Sequence, residues 1–223
     1  MLVPIVQGGL GFFTLVLDIS SNVTEYNVLT AATAAGYNAS TDARPIVVNV
    51  ASGVTVSGST THAMRTGVLN AATSLTININ GSVDGYTGAT GGLVAVPGSV
   101  GGDAIYWETT GTSVVNVASG ANLRSGGGGG GGGGQRGGAR AFDGKNCTGS
   151  ILYGSYGSTG AAGGFGQAGA TGGTGTYNAA SEPSCGPQAV GGGGAGGAAG
   201  FAIRKNSKTI TVNNSGTIAG TIG

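Results

Sequence analysis

The stretch SGGGGGGGGGQ, Ser125–Gln135, and the later stretch GSYGSTGAAGGFGQAGATGGTG, Gly154–Gly175, decide how this chain is read. The first contains nine consecutive glycines, Gly126–Gly134. The second places glycine at every third position, at 154, 157, 160, 163, 166, 169, 172 and 175, and the period returns at Gly191, Gly194, Gly197 and Gly200. Three residues per turn is the period of the polyproline-II helix. Collagen shares it but needs about 15–20% proline, and no proline lies between Gly154 and Gly175. The spacing therefore predicts polyglycine-II helices packed side by side. Such helices have no internal hydrogen bonds, so lateral N–H and C=O pairing must satisfy their backbones. Glycine is required wherever a neighbouring backbone approaches closely, because a Cβ would hold the two apart. At about 3.1 Å per residue the second stretch would extend roughly 70 Å, whereas a compact chain of this size has a radius of gyration near ~17 Å. The run must double back and form a small bundle.

Outside the glycine block the sequence alternates in the manner of β-strands. VNVASG occurs at Val48–Gly53 and again, letter for letter, at Val115–Gly120; INGSVDG from Ile79 and ITVNNSGTIAG from Ile210 follow the same plan. Each unit has alternating β-branched residues, a small polar corner and a second short strand, as a rung of a β-solenoid has. A plain β-sandwich is the competing architecture. FFTLVLDI (Phe12–Ile19) reads as a strand, and a short helix is expected over Val23–Ala35, capped by Asn22, boxed by Glu25 and ended by Gly36. The fold class is thus mostly β: short β-solenoid-like strand units, an inserted bundle of polyglycine-II helices, and one short N-terminal α-helix. The expected division is an attachment or oligomerisation segment at 1–44, solenoid-like units at 45–125, a polyglycine-II sandwich at 126–202 and a closing β unit at 203–223.

Composition narrows the function. Of 223 residues 51 are glycine and only 8% are charged, while the hydrophobic fraction of 39% supports a folded core. A net charge of +1 supplies no basic field for phosphates, so no nucleic-acid partner is expected. No Lys or Arg precedes Arg44, so no secretory signal is read. The apolar stretch Met1–Ile19 is broken by Gln7, several glycines and Asp18; it is too interrupted to span a bilayer and is expected to be buried against another chain. Cys147 and Cys185 either form one disulfide or stand free, and with His62 as the sole histidine no metal site and no cofactor are expected. Glycosidase chemistry needs two positioned carboxylates. Asp103 and Glu108 are the nearest pair, and they read as solvated loop acids rather than as catalysts. No nucleophile elbow and no phosphate-binding loop occur, so the chain is not expected to be an enzyme. The segment Gln135–Tyr153 gathers Arg136, Arg140 and Lys145 with Phe142 and Tyr153, and the segment Tyr177–Val190 offers Tyr177, Glu182 and Pro183. Arginine forks and aromatic faces suit a protein or polysaccharide surface.

Several stretches in order, PIVVNV (Pro45–Val50), LTININGSVDGYTGATGG (Leu75–Gly92), the glycine run after ANLRS, and FAIRKNSKTITVNNSGTIAG (Phe201–Gly220), resemble the polyglycine-sandwich adhesins at the tips of T-even-type phage long tail fibres. They are also similar to the glycine-rich terminal domains of siphophage tail fibres. The likeness begins at about Ser20; the tryptophan-bearing attachment region of the T-even adhesins is missing, since Trp107 is the single tryptophan. The resemblance implies a virion protein of the tail fibre or tail tip. Loops joining the glycine helices would bind a bacterial outer-surface receptor, and the N-terminal segment would join other tail or fibre subunits, with a homotrimer as one form of assembly. A purely structural virion component and a glycine-rich secreted surface protein are the alternatives.

Overall fold

The computed structural model describes residues 13–92, 94–136, 138–140, 151–153, 155–176 and 190–223. Within these residues the alternating stretches wind into a parallel β-solenoid of five rungs and three faces. The first rung is β1 (Leu15–Ile19), β2 (Val23–Thr24) and β3 (Tyr26–Asn27), followed by helix α1 (Val28–Ala34). The second is β4 (Ile46–Val50), β5 (Thr55–Ser57) and β6 (His62–Arg65), and the third β7 (Leu75–Ile79), β8 (Ser82–Asp84) and β9 (Asp103–Tyr106). The fourth begins with β10 (Ser113–Val117) and β11 (Asn122–Arg124). It is interrupted by a long excursion containing β12 (Gly138–Arg140) and β13 (Ile151–Tyr153), and closes with β14 (Phe201–Arg204). The fifth is β15 (Thr211–Asn214), β16 (Thr217–Ala219) and β17 (Thr221–Ile222). The three faces are five-stranded sheets in the orders β1-β4-β7-β10-β15, β2-β5-β8-β11-β16 and β3-β6-β9-β14-β17.

Register explains the repeated VNV motif. Val48, Ile77 and Val115 align across β4, β7 and β10, as do Val50, Ile79 and Val117, and all six point into the core. Burying each such side chain contributes about 1.5–3 kcal/mol. The asparagine between them points outward and stacks on its neighbours: Asn213 donates to Asn116, Asn116 to Asn78, Asn78 to Asn49, and Asn49 to Asp18, at 2.8–2.9 Å. A carboxylate can only accept, so Asp18 sets the direction of the whole ladder. Asn78→Ala removes two of these bonds at about 1 kcal/mol each, whereas Asn213→Ala, at the end of the ladder, removes one. The expected loss in urea midpoint is therefore larger for Asn78, and equal losses would show that the ladder does not act as a chain.

The start of the chain departs from its sequence pattern. Val23–Asn27, expected as the first turns of a helix, instead form β2 and β3 on either side of Glu25, with Val23 paired to Val56 and Tyr26 to Met64 on the second rung. The helix begins at Val28 with Asn27 as its N-cap, and the Asn27 side chain accepts from the Thr30 amide. Asn22 instead accepts from the Thr55 amide, and Glu25, at φ +54, accepts from Ser59 and Thr60. Gly36, at φ +83, ends the helix: its amide reaches the Thr33 carbonyl and that of Tyr37 reaches Ala32, a Schellman pattern. Leu17 and Ile19, expected to bury against another chain, pack into this chain's own core, while Phe13 and Val16 are exposed. Residues 1–12 of the apolar stretch lie outside the described residues.

Two excursions leave the solenoid at the same corner, between the second and third faces. Residues 85–102 join β8 to β9, and residues 125–200 join β11 to β14. Their extended segments pair laterally through backbone bonds that step by three residues. Gly126, Gly129 and Gly132 donate to Gly102, Ser99 and Val96; Gly128, Gly131 and Gly134 donate to Gln167, Ala170 and Gly173. Gly163, Gly160 and Gly157 donate to Gly128, Gly131 and Gly134; Gly200, Gly197 and Gly194 donate to Gly126, Gly129 and Gly132. Gly88 and Gly91 donate to Gly127 and Gly130. The nine-glycine run is thus surrounded by five segments and wholly buried. The six segments form three layers of two antiparallel members: 85–92 with 96–102, 126–135 with 190–200, and 155–163 with 167–176. The first two layers continue the third and fourth rungs, and the third layer meets the fifth rung where Gly166 abuts Gly220.

Candidate functional site

The direction of each segment fixes where the connections fall. Segments 85–92, 126–135 and 167–176 run away from the solenoid, and 96–102, 155–163 and 190–200 return to it. The near end holds the four joints to solenoid strands and the turn at 164–166. The far end holds all three remaining connections. The Ala95 amide donates to Gly133 there, Gly191 to Gln135, and Thr176 to Ser155.

Two of these connections are the segments read from the sequence as binding loops. Arg136 lies at the far end with its guanidinium 4.9 Å from the centre of the Tyr156 ring. Arg140 is in β12 and Tyr153 in β13; the two strands form an antiparallel ladder that pairs Gly138 with Tyr153 and Arg140 with Ile151. Phe142, Lys145, Tyr177, Glu182 and Pro183 lie outside the described residues, as do Cys147 and Cys185. The sequence reading missed the third connection. Val94 and Ala95 hold φ of +71° and +57° there, a conformation that costs a β-branched residue of order 1–2 kcal/mol. Val94, Val96, Val190 and Tyr156 are exposed at this end. The cue was present in the apolar run VAV between two glycine stretches.

The acids considered for catalysis are engaged elsewhere. Asp103 is not a loop acid: it opens β9, is 2% exposed, and takes a bidentate fork from Arg204 and the Phe201 amide. His62 stands 3.3 Å from it and stacks on Tyr106. Burial alone would raise the Asp103 carboxyl, but the nearby His62 ring and hydrogen bonds from Arg204 and the Phe201 amide hold it below the ordinary carboxylate range. Glu108 is likewise pushed up by burial and pulled lower by Arg65 and the Gly67 amide. The exposed Glu25 carboxyl is lowered to about 2 by its bonds from Thr60 and Ser59. Among the described residues no group of three His, Cys, Asp or Glu side chains stands together as a metal site.

The far end therefore combines three chain connections, exposed apolar side chains and an arginine on an aromatic face, carried on a backbone lattice. In fold the chain is similar to the adhesin tip complex of gp37 and gp38 from the long tail fibre of bacteriophage S16. The TM-score is 0.52 at 20% identity, over 94% of this chain and 82% of that one. Among curated proteins, none matches by sequence. The family model for the phage tail fibre adhesin Gp38 matches residues 14–223, and the chain belongs to this family of tail fibre adhesins.

Proposed function

We propose that this adhesin, a component of the phage tail fibre, recognises a host cell-surface receptor through the far end of its glycine bundle. The observation that carries the reading is topological: the three connections away from the solenoid all emerge at one end, and they include the segment that gathers arginine and aromatic residues, 135–153, and the segment 177–190 with Tyr177, Glu182 and Pro183. Loops held by a rigid scaffold are where binding is built. The scaffold here is a polyglycine-II sandwich, a reading supported by the three-residue step of its lateral hydrogen bonds. Arg136, Arg140, Phe142, Lys145 and Tyr153 on one loop, and Tyr177, Glu182 and Pro183 on the other, contact a protein or polysaccharide of the bacterial outer surface. The protein acts by binding and not by catalysis, because the acids that would do chemistry are tied into ion pairs that brace the solenoid. The first rung, with Phe13 and Val16 exposed, joins the adhesin to another fibre subunit; the similar S16 structure is a complex of two fibre proteins.

Exchanging 135–153 and 177–190 for the loops of a relative with another host is expected to move cell attachment to that host and to leave the melting temperature nearly unchanged. Arg136→Ala combined with Arg140→Ala is expected to weaken attachment at unaltered stability. Attachment that keeps its original host after the exchange would mark the chain as a structural joint of the fibre. Release of sugar fragments from purified envelopes, abolished by Asp103→Asn, would restore a catalytic reading.

A further inference from the structure

Glycine-rich extended segments specify their register weakly. In the third layer the degeneracy is built into the sequence, since glycine recurs at 157, 160, 163, 166, 169, 172 and 175. Sliding 155–163 and 167–176 by three residues returns glycine to each close approach and re-forms the same kind of backbone bond at all but the end positions. Four of the six segments cannot slide. Residues 85–92, 96–102, 126–135 and 190–200 continue directly into or out of β8, β9, β11 and β14, whose buried side chains fix their place. The third layer has no such joint. It is entered from one far-end loop and left by the other, and it meets the solenoid only through its turn at 164–166.

At that turn Phe165 lies under Arg124, with the guanidinium carbon 4.1 Å from the ring centre. Arg124 is itself held by two 2.8 Å hydrogen bonds to Asp84. Next to it the Gly166 amide donates to the Ser125 carbonyl at 3.0 Å, and Gly166 sits at φ +73 against the Gly220 amide. These contacts are specific to one register, unlike the glycine contacts above them.

We infer that Phe165, seated on the Arg124–Asp84 pair, is the register lock of the third layer and a positioning residue for recognition. The inference rests on the far-end reading of receptor binding. Each loop proposed to bind has one end on this layer and the other on a segment that cannot slide, so a slip of one turn shifts one anchor of each by about 9 Å relative to the other and costs only a few terminal hydrogen bonds. Recognition and stability therefore separate at this residue.

The test uses the full chain with Cys147→Ser and Cys185→Ser and spin labels at Thr159→Cys on the third layer and Thr211→Cys on the solenoid, both exposed positions. Distance distributions are measured on these labelled samples, and melting curves and attachment to host cells on the same Phe165 variants with Cys147 and Cys185 retained. The parent and Phe165→Tyr are expected to show one distance. Phe165→Ala is expected to add a second population displaced by about 9 Å, to melt close to the parent, and to lose attachment in proportion to the slipped fraction. If Phe165→Ala fails to fold, Phe165→Leu, which keeps apolar bulk without the aromatic face, takes its place. A single unshifted distance in the folded variant overturns the lock, whatever attachment does. A slipped population with full attachment upholds the lock and overturns the assignment of binding to the far-end loops.

Discussion

Gly130→Ala is expected to be among the most destabilising single methyl additions in this chain. Gly130 is the middle of the nine-glycine run, and a Cβ there would fall against the Gly160 carbonyl, inside van der Waals contact. The obstacle is backbone and not a flexible side chain. The Gly160 amide donates to the Gly131 carbonyl, the Gly131 amide to that of Ala170, and Gly91 donates to Gly130 itself, at 2.6–2.9 Å. Room can be made only by separating layers and breaking several of these bonds, each worth about 1 kcal/mol net. Overpacking a core commonly costs about 1–3 kcal/mol, and this site lies at or beyond the upper end. A loss of about 3 kcal/mol lowers the melting temperature of a chain this long by roughly 6–12 °C.

Gly192→Ala supplies the contrast. A Cβ at Gly192 meets nothing within 4 Å, and alanine restricts the unfolded chain, which stabilises by about 0.4–1 kcal/mol where the backbone permits it. The two substitutions add the same methyl group to the same block and should move the melting temperature in opposite directions. Equal effects would mean that the nine-glycine run is not enclosed by other backbones.

These glycines were legible in the sequence because close backbone approach leaves a period of three, and the solenoid was legible because VNV recurs at successive rungs. The topology was not. LTININGSVDG reads as one more strand unit, and it is one as far as Asp84. Beyond it Gly85, Gly88, Gly91, Gly98 and Gly101 carry the three-residue period into the bundle's first layer, but two short runs broken by VAV do not stand out. The helix start was misread for another reason. Asn22 and Glu25 satisfy a local capping pattern, yet parallel pairing of Val23 with Val56 and Tyr26 with Met64 outweighs it. Pairing across rungs is invisible to any local window, as it is for Asp103, whose partner Arg204 is 101 residues away. The two segments read as binding loops came from the family resemblance, with the arginine and aromatic residues of 135–153 in support. That they share one end follows only from the direction of the segments that carry them.

Arg204→Ala is expected to cost about 3–5 kcal/mol at neutral pH, the range for stripping the partner from a buried charge. The asymmetry of exposure decides this. The Asp103 side chain is 3% exposed and that of Arg204 37%, so removing the arginine strands a carboxylate that water cannot reach, with only His62 and the Phe201 amide beside it. Asp103→Ala strands a guanidinium that water reaches, and it should cost less. The pH dependence follows from the direction of the Asp103 shift. Its folded-state carboxyl lies below the unfolded value of about 3.9, so its contribution is present in full above that value and is lost as pH falls through the folded value. Without Arg204 the carboxyl moves up, and acid destabilisation should begin at a higher pH than in the parent. Urea midpoints for the parent and the Arg204→Ala, Asp103→Ala and double variants, taken at neutral and progressively acidic pH, measure the coupling directly. A double variant no worse than Arg204→Ala alone would confirm that the stranded carboxylate is the source of the loss. Strictly additive costs would show that the two residues act separately, and that the corner from which the glycine bundle leaves the solenoid is held by something other than this pair.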